Sequence, residues 1–168
     1  KYNYNDKFIK KISQSINIKR LRSKNLYLPD VTKLASAIAK KKYIRNNLKK
    51  FQTDFIKKNS KVIIEGRDIA SKIMPNADIK FFFKCSVDKK AKRRLKEFKK
   101  LNNKIKLKDV KKALKVRDFS DKNRKESPLL FTKGAVLVDT TKLNLSQMRL
   151  KLLKIVKKEI NKKKYGSL

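Results

Sequence analysis

Apolar positions along this chain fall into a helical rhythm broken by three short apolar runs. Val31, Leu34, Ala35 and Ile38 stand at i, i+3, i+4 and i+7, and Ile44, Leu48, Phe51 and Phe55 continue the spacing, which predicts two amphipathic helices beginning at Asp30. Upstream, Phe8, Ile9, Ile12, Ile16 and Ile18 give a short helix within a weakly patterned basic start. Ser86 stands where it can cap a helix with the apolar stripe Val87, Ala91, Leu95 and Phe98, its other faces being nearly all Lys and Arg. A further helix begins at about Leu107. The last begins at Asn144, where Gln147 three residues on completes a capping box and Leu145, Met148, Leu152, Val156 and Ile160 form the stripe.

The interruptions read as buried strands: 62–64, running into the polar turn Glu65-Gly66-Arg67-Asp68; 79–83; and 135–138, following Gly134. Strands separated by helical segments predict an α/β fold, a parallel sheet with flanking helices. No internal repeat is visible.

Composition changes this picture less than its numbers suggest. In 168 residues, 50 Lys+Arg against 14 Asp+Glu give a net charge of +36, and charged residues reach 38% against roughly 25% in ordinary globular domains. Such a balance favours a nucleic-acid binder or partial disorder. The excess is mostly Lys, however, spread through every segment with many Ile, Asn and Phe, as an AT-rich coding sequence would produce. The absences are more informative. With no His there is no Ser-His-Asp triad and no imidazole acid or base, and Cys85 alone forms no intrachain disulfide or thiolate cluster. Gly66, Gly134 and Gly166 are too few and too far apart for a G-x-G-x-x-G turn or a G-x-x-x-x-G-K-[ST] phosphate loop within these residues. No stretch reaches the roughly 18 apolar residues of a membrane span, so a soluble, cytoplasmic protein is expected.

Two constellations carry candidate chemistry. Gly66-Arg67-Asp68 lies at the carboxyl end of a predicted strand, where open parallel sheets place ligands. The glycine permits a sharp exit, Arg67 offers a fork of donors suited to phosphate, and Asp68 accepts from an amino group or a sugar hydroxyl. The alternative is a strand-terminating turn with a surface ion pair. Arg117, Asp121 and Arg124 are spaced four and three apart and continue the helical sector of Val110, Ala113 and Leu114, which would otherwise face the core. Charges pointing inward pair with each other, with Asp68 or with an anionic ligand. The alternative is an exposed ion-pair ladder. Arg93 and Arg94 fall on the solvated face of their helix, and Asp139-Thr140 reads as loop punctuation.

In order along the chain, Gly66-Arg67-Asp68-Ile69, Pro75-Asn76-Ala77, Arg93-Arg94, Val116-Arg117-Asp118 through Asp121 to Asn123-Arg124, Ser127-Pro128-Leu129 and Val138-Asp139-Thr140-Thr141 resemble the bacterial cytidylate (CMP/dCMP) kinase family over roughly residues 31–156. The resemblance implies a nucleoside-monophosphate-kinase-like parallel sheet with flanking helices and transfer of a phosphoryl group from ATP, with magnesium, to CMP or dCMP. It further implies that Arg67, Arg117 and Arg124 engage charge, that Asp68 and Asp121 read base or sugar, and that Arg93 or Arg94 is a lid arginine approaching the transferred group. Leu21-Arg22-Ser23 is similar to the family's L-R-[ST] element, making Arg22 a substrate contact. Ala70-Ser71 departs from the usual Gly-Thr. The larger departure is the phosphate loop and first strands, which these residues do not contain. The expected molecule is therefore the carboxyl-terminal part of such a kinase, with residues 1–60 as a monophosphate-binding helical region, 61–168 as the remainder of the core and a lid at about 86–124. It is expected to be a monomer, inactive on its own, that touches RNA or DNA only through general charge. The competing expectations are a basic nucleic-acid-binding protein and a noncatalytic nucleotide-binding relic.

Overall fold

A computed structural model describes residues 6–16, 26, 29–39, 41–100 and 105–165. The chain forms two compact units, Lys1–Ile69 and Ala70–Leu168.

Among the described residues, the first unit contains three helices, α1 (Asp6–Gln14), α2 (Pro29–Ile38) and α3 (Lys42–Lys57). The apolar rhythm that predicted α3 buries Ile44 and half-buries Phe51, while Leu48 and Phe55 remain partly exposed. A polar link supplements this thin packing between α1 and α3. Asn47 Nδ2 donates to Ser13 Oγ at 2.7 Å, and Ser13 Oγ donates to the Lys10 carbonyl at 2.8 Å. Ser13 is buried, so satisfying its hydroxyl twice removes a desolvation cost.

The expected strand at 62–64 is not formed. These residues have no regular secondary structure, with Val62 and Ile64 half-buried and Ile63 fully exposed. The alternation of a strand is present, but a strand is fixed by its ladder, and the sheet among the described residues contains two other strands. A short π-helical turn, Ile69–Ile73, follows.

The second unit is α/β. β1 (Lys80–Lys84) and β2 (Ala135–Asp139) pair in parallel, Lys80 opposite Ala135 through Lys84 opposite Asp139. Val138 is fully buried. At the amino-terminal end of this sheet, Lys80 Nζ donates to the carbonyls of Lys133 (2.9 Å) and Pro75 (3.1 Å), and Gly134 turns the chain into β2 at φ +75°.

Between the strands, α4 (Val87–Lys100) and α5 (Leu107–Asn123) form a helical pair. The predicted α4 stripe closes against α5: Ala91, Phe98 and Val110 are buried together, with Leu95, Ile105, Leu107 and Leu114 packed around them. Ala113, expected on this inward face, is exposed, as are Val116 and Phe119. Lys90 reaches Asp118 at 2.7 Å, and Lys111 pairs with Asp88, so two ion pairs cross between the helices in opposite senses.

The last helix, α6 (Leu145–Tyr165), starts with the anticipated reciprocal cap: the Gln147 amide donates to Asn144 Oδ1 and the Asn144 amide to Gln147 Oε1, both at 2.9 Å. Its stripe is half-buried at Met148, Leu152 and Val156, and its ends, Leu145 and Ile160, are exposed. No helix among the described residues is long and apolar enough to cross a membrane.

Candidate functional site

In the first unit, the G-R-D turn meets α3. Arg45 Nη1 lies 3.4 Å from Asp68 Oδ2, both side chains mostly withdrawn from solvent, and the Arg45 Nε–H is buried with no hydrogen-bond partner among the described residues. Arg67 is half-buried. Gly66 serves here as space: a Cβ at this position would come within 2.7 Å of Ile69 Cγ1, so any other residue would require the Ile69 side chain to shift. Arg45 was not among the residues singled out from the sequence. Its signal was its place immediately after Ile44, the one fully buried apolar residue of α3, which carries it toward the protein interior. Arg22 lies outside the described residues.

In the second unit, Asp121 is the centre of the R-x-x-x-D-x-x-R element. It is 8% exposed, and its carboxylate receives Arg124 Nη1 at 3.2 Å and lies 3.8 Å from Arg117 Nε. The two arginines, both partly exposed, therefore pair with the buried carboxylate. The geometry differs from three residues on one helix face, because α5 ends at Asn123. Arg124 is extended (φ −69°, ψ 141°) and folds back, its Nε donating to the Ser127 carbonyl at 2.6 Å. The Leu129 amide donates to the Asp121 carbonyl at 2.7 Å, which closes the Ser127-Pro128-Leu129 loop onto the helix end.

Arg93 contradicts its expected place on a solvated face. Its Nη2 donates to the carbonyls of Thr140 and Leu143, each at 2.8 Å, and its Nη1 reaches Thr140 Oγ1 at 3.3 Å and Cys85 Sγ at 3.7 Å. On a helix of 100° per residue, Arg93 lies roughly 200° from the stripe packed on α5, so the side opposite that stripe is covered by the turn after β2. Helical periodicity identified one covered face and missed the second. Arg94 lies close to the stripe. Its guanidinium sits 5.1 Å from the Phe98 ring centroid and pairs at 2.9 Å with Glu97, an exposed residue.

The Asp139-Thr140-Thr141 turn is correspondingly more than punctuation. The Thr140 amide donates to the Lys84 carbonyl at 2.8 Å and its hydroxyl lies 3.2 Å from the same oxygen. The Ser86 amide donates to Thr141 Oγ1 (3.0 Å), and the Thr141 amide to Asp139 Oδ1 (2.8 Å). Hydrogen bonding from the Thr141 side chain and backbone holds the exposed Asp139 carboxyl below the ordinary aspartate range. The carboxyl ends of both strands and the second turn of α4 are thereby joined. Among the described residues no cluster of three or more His, Cys, Asp or Glu could hold a metal ion.

Comparison with known proteins bears on the family. The cytidylate kinase family profile matches residues 5–158. The chain is similar to the cytidylate kinases of Thermosipho melanesiensis (36% identity over 131 residues, 78% of this chain and 60% of the relative) and Pediococcus pentosaceus (37% over 134 residues, 80% and 59%). The cytidylate kinase of Clostridium botulinum strain Okra is 36% identical over 135 residues, 80% and 62%. The chain spans about three-fifths of the length of the curated relatives it matches. With an ordered set of motifs, a parallel α/β core and a family match over most of its residues, the chain belongs to the cytidylate kinase family.

Proposed function

We propose that the whole protein transfers the terminal phosphoryl group of ATP to CMP or dCMP, giving CDP or dCDP, and that these 168 residues supply the nucleoside monophosphate pocket and the lid. The observation that carries this reading is the buried Asp121 gripped by Arg124 and Arg117. A carboxylate so held keeps two cations oriented in a site where they would otherwise repel, ready for a dianionic phosphate.

Arg67, Arg117 and Arg124 engage substrate charge, and Asp68 and Asp121 accept from base or sugar groups. Arg45 orients Asp68 for this role through their pairing. Arg22 is retained as a substrate contact on sequence grounds alone. Of the two lid candidates, Arg94 is the better suited to approach the moving phosphoryl group: exchanging exposed Glu97 for a phosphate costs little, whereas Arg93 would have to abandon two carbonyls. Phosphoryl transfer consists largely of positioning and of neutralising the charge on equatorial oxygens. Magnesium, entering with ATP, would supply further neutralisation of that charge. These residues contain no glycine-rich phosphate loop to cradle ATP, so the chain alone binds CMP without turning it over. We place the protein in the cytoplasm as a monomer. Its lysine-rich helices attract RNA or DNA only through sequence-indifferent charge, an attraction that falls steeply with salt.

The test is CMP calorimetry on the 168-residue chain together with a coupled assay of ADP release in Mg-ATP and CMP. CMP binding without turnover is expected. Turnover at an ordinary kinase rate would overturn the division of labour, and sequence-dependent RNA binding at physiological salt without CMP binding would overturn the kinase reading.

A further inference from the structure

Among the described residues, Ser127 is the one non-glycine residue with positive φ, at 53°. The left-handed region is unfavourable for a residue with a Cβ, and the following Pro128 steers its predecessor toward extended backbone. Ser127 is thus held against two local preferences, and such outliers persist where the surroundings over-determine them. Its hydroxyl does not account for the conformation, because the strong contact is made by its carbonyl, which accepts from Arg124 Nε at 2.6 Å. With Nη1 on Asp121 at 3.2 Å, the planar guanidinium is held at two nitrogens. The loop is closed on either side by the Arg124 amide on the Ser120 carbonyl (3.0 Å) and the Leu129 amide on the Asp121 carbonyl (2.7 Å). An extended Ser127 would turn its carbonyl away and release the Arg124 Nε–H.

We propose that Ser127 is a positioning residue, whose left-handed backbone aims its carbonyl at Arg124 Nε and so sets the plane in which that guanidinium meets the substrate's phosphate. The substrate half of this statement rests on the reading of Arg124 as a phosphate contact; the lock itself does not.

The experiment uses the 168-residue chain and its Ser127→Gly, Ser127→Val and Arg124→Gln variants, with two readouts: solvent exchange of the Arg124 Nε–H by nitrogen-15 NMR, and CMP affinity by calorimetry. Glycine adopts positive φ freely, so S127G keeps the Nε–H protected and CMP affinity unchanged. The β-branched S127V loses the protection and binds CMP about tenfold more weakly, the scale of one misdirected charge-assisted hydrogen bond. In the R124Q background S127V costs nothing further, because its effect passes through Arg124. Ser127→Ala, also averse to positive φ, makes the same test should S127V fail to fold. Unchanged Nε–H exchange in S127V or S127A, or a loss of affinity additive with R124Q, overturns the proposal. Absence of CMP binding in the unsubstituted chain, with the Nε–H protected there and released in S127V, overturns the kinase reading and leaves the lock standing.

Discussion

Replacing Arg93 by alanine should release the turn that follows β2. The guanidinium makes two 2.8 Å bonds to the carbonyls of Thr140 and Leu143, with longer contacts to Thr140 Oγ1 and Cys85 Sγ. A hydrogen bond involving a charged group contributes about 1.5–3 kcal/mol. Thr140 is buried, so its carbonyl is poorly rehydrated after the change, while Leu143 is only half-buried and recovers some water. The two strong bonds share one nitrogen and do not add fully, which leaves about 3 kcal/mol. At 1.4 kcal/mol per factor of ten, local opening becomes about 100-fold more frequent. Amide hydrogen exchange reads this directly, because the Thr140 amide is bonded to the Lys84 carbonyl and exchanges when the turn opens. Arg93→Lys should recover little, since a point charge on a flexible stem cannot bridge two carbonyls as a planar fork does. Arg94→Ala, which removes a pair to an exposed glutamate, should leave Thr140 exchange unchanged. If Thr140 in R93A exchanges within about threefold of the parent rate, the turn is held by its own hydroxyl and amide bonds, and Arg93 is no anchor.

Three further outcomes are expected. Asn144→Ala removes one half of the α6 cap and should destabilise the second unit by about 1 kcal/mol, seen as a lower urea midpoint at unchanged slope. Asp139, its carboxyl lowered in the folded state by Thr141, supports the turn fully above the ordinary unfolded aspartate value. That support is lost as pH falls from about 4 through the folded value, so Thr141 amide protection should decline in acid and Asp139→Asn should abolish the pH dependence. Asp121→Asn leaves Arg117 and Arg124 close together without their shared anion; it should cost about 2 kcal/mol of unfolding free energy, moderated by the partial exposure of both arginines, and weaken CMP binding in the same calorimetric titration.

The parts of this fold legible in the sequence are those whose cause is local. The α6 cap needs only Asn144 and Gln147 three residues apart, and the α4 stripe needs only the spacing of Ala91 and Phe98. Residues 62–64 carry the composition and alternation of a strand, but pairing is settled by what lies alongside. Arg93 was illegible for a related reason: a helical wheel distinguishes apolar from polar sides, and a polar side covered by backbone carbonyls looks like one covered by water. For the candidate site, spacing alone brought Arg117, Asp121 and Arg124 together. It did not foresee that α5 stops at Asn123 and that Arg124 returns through a left-handed serine, because nothing in Ser-Pro announces a positive φ.

The ion pairs crossing between α4 and α5 have a consequence for how this sequence can drift. With 50 basic and 14 acidic residues, carboxylates are the limiting partner. Asp88 and Asp118 each hold a lysine of the opposite helix, Asp68 holds Arg45, and Asp121 serves two arginines. A lysine lost from this surface has many neighbours able to swing into its place. A lost aspartate has no such reserve, and its former partners join an already crowded field of like charge. Mutational tolerance is therefore lopsided: the surface lysines can be exchanged freely over time, while the few acidic positions in these helices and turns constrain the chain far beyond their number.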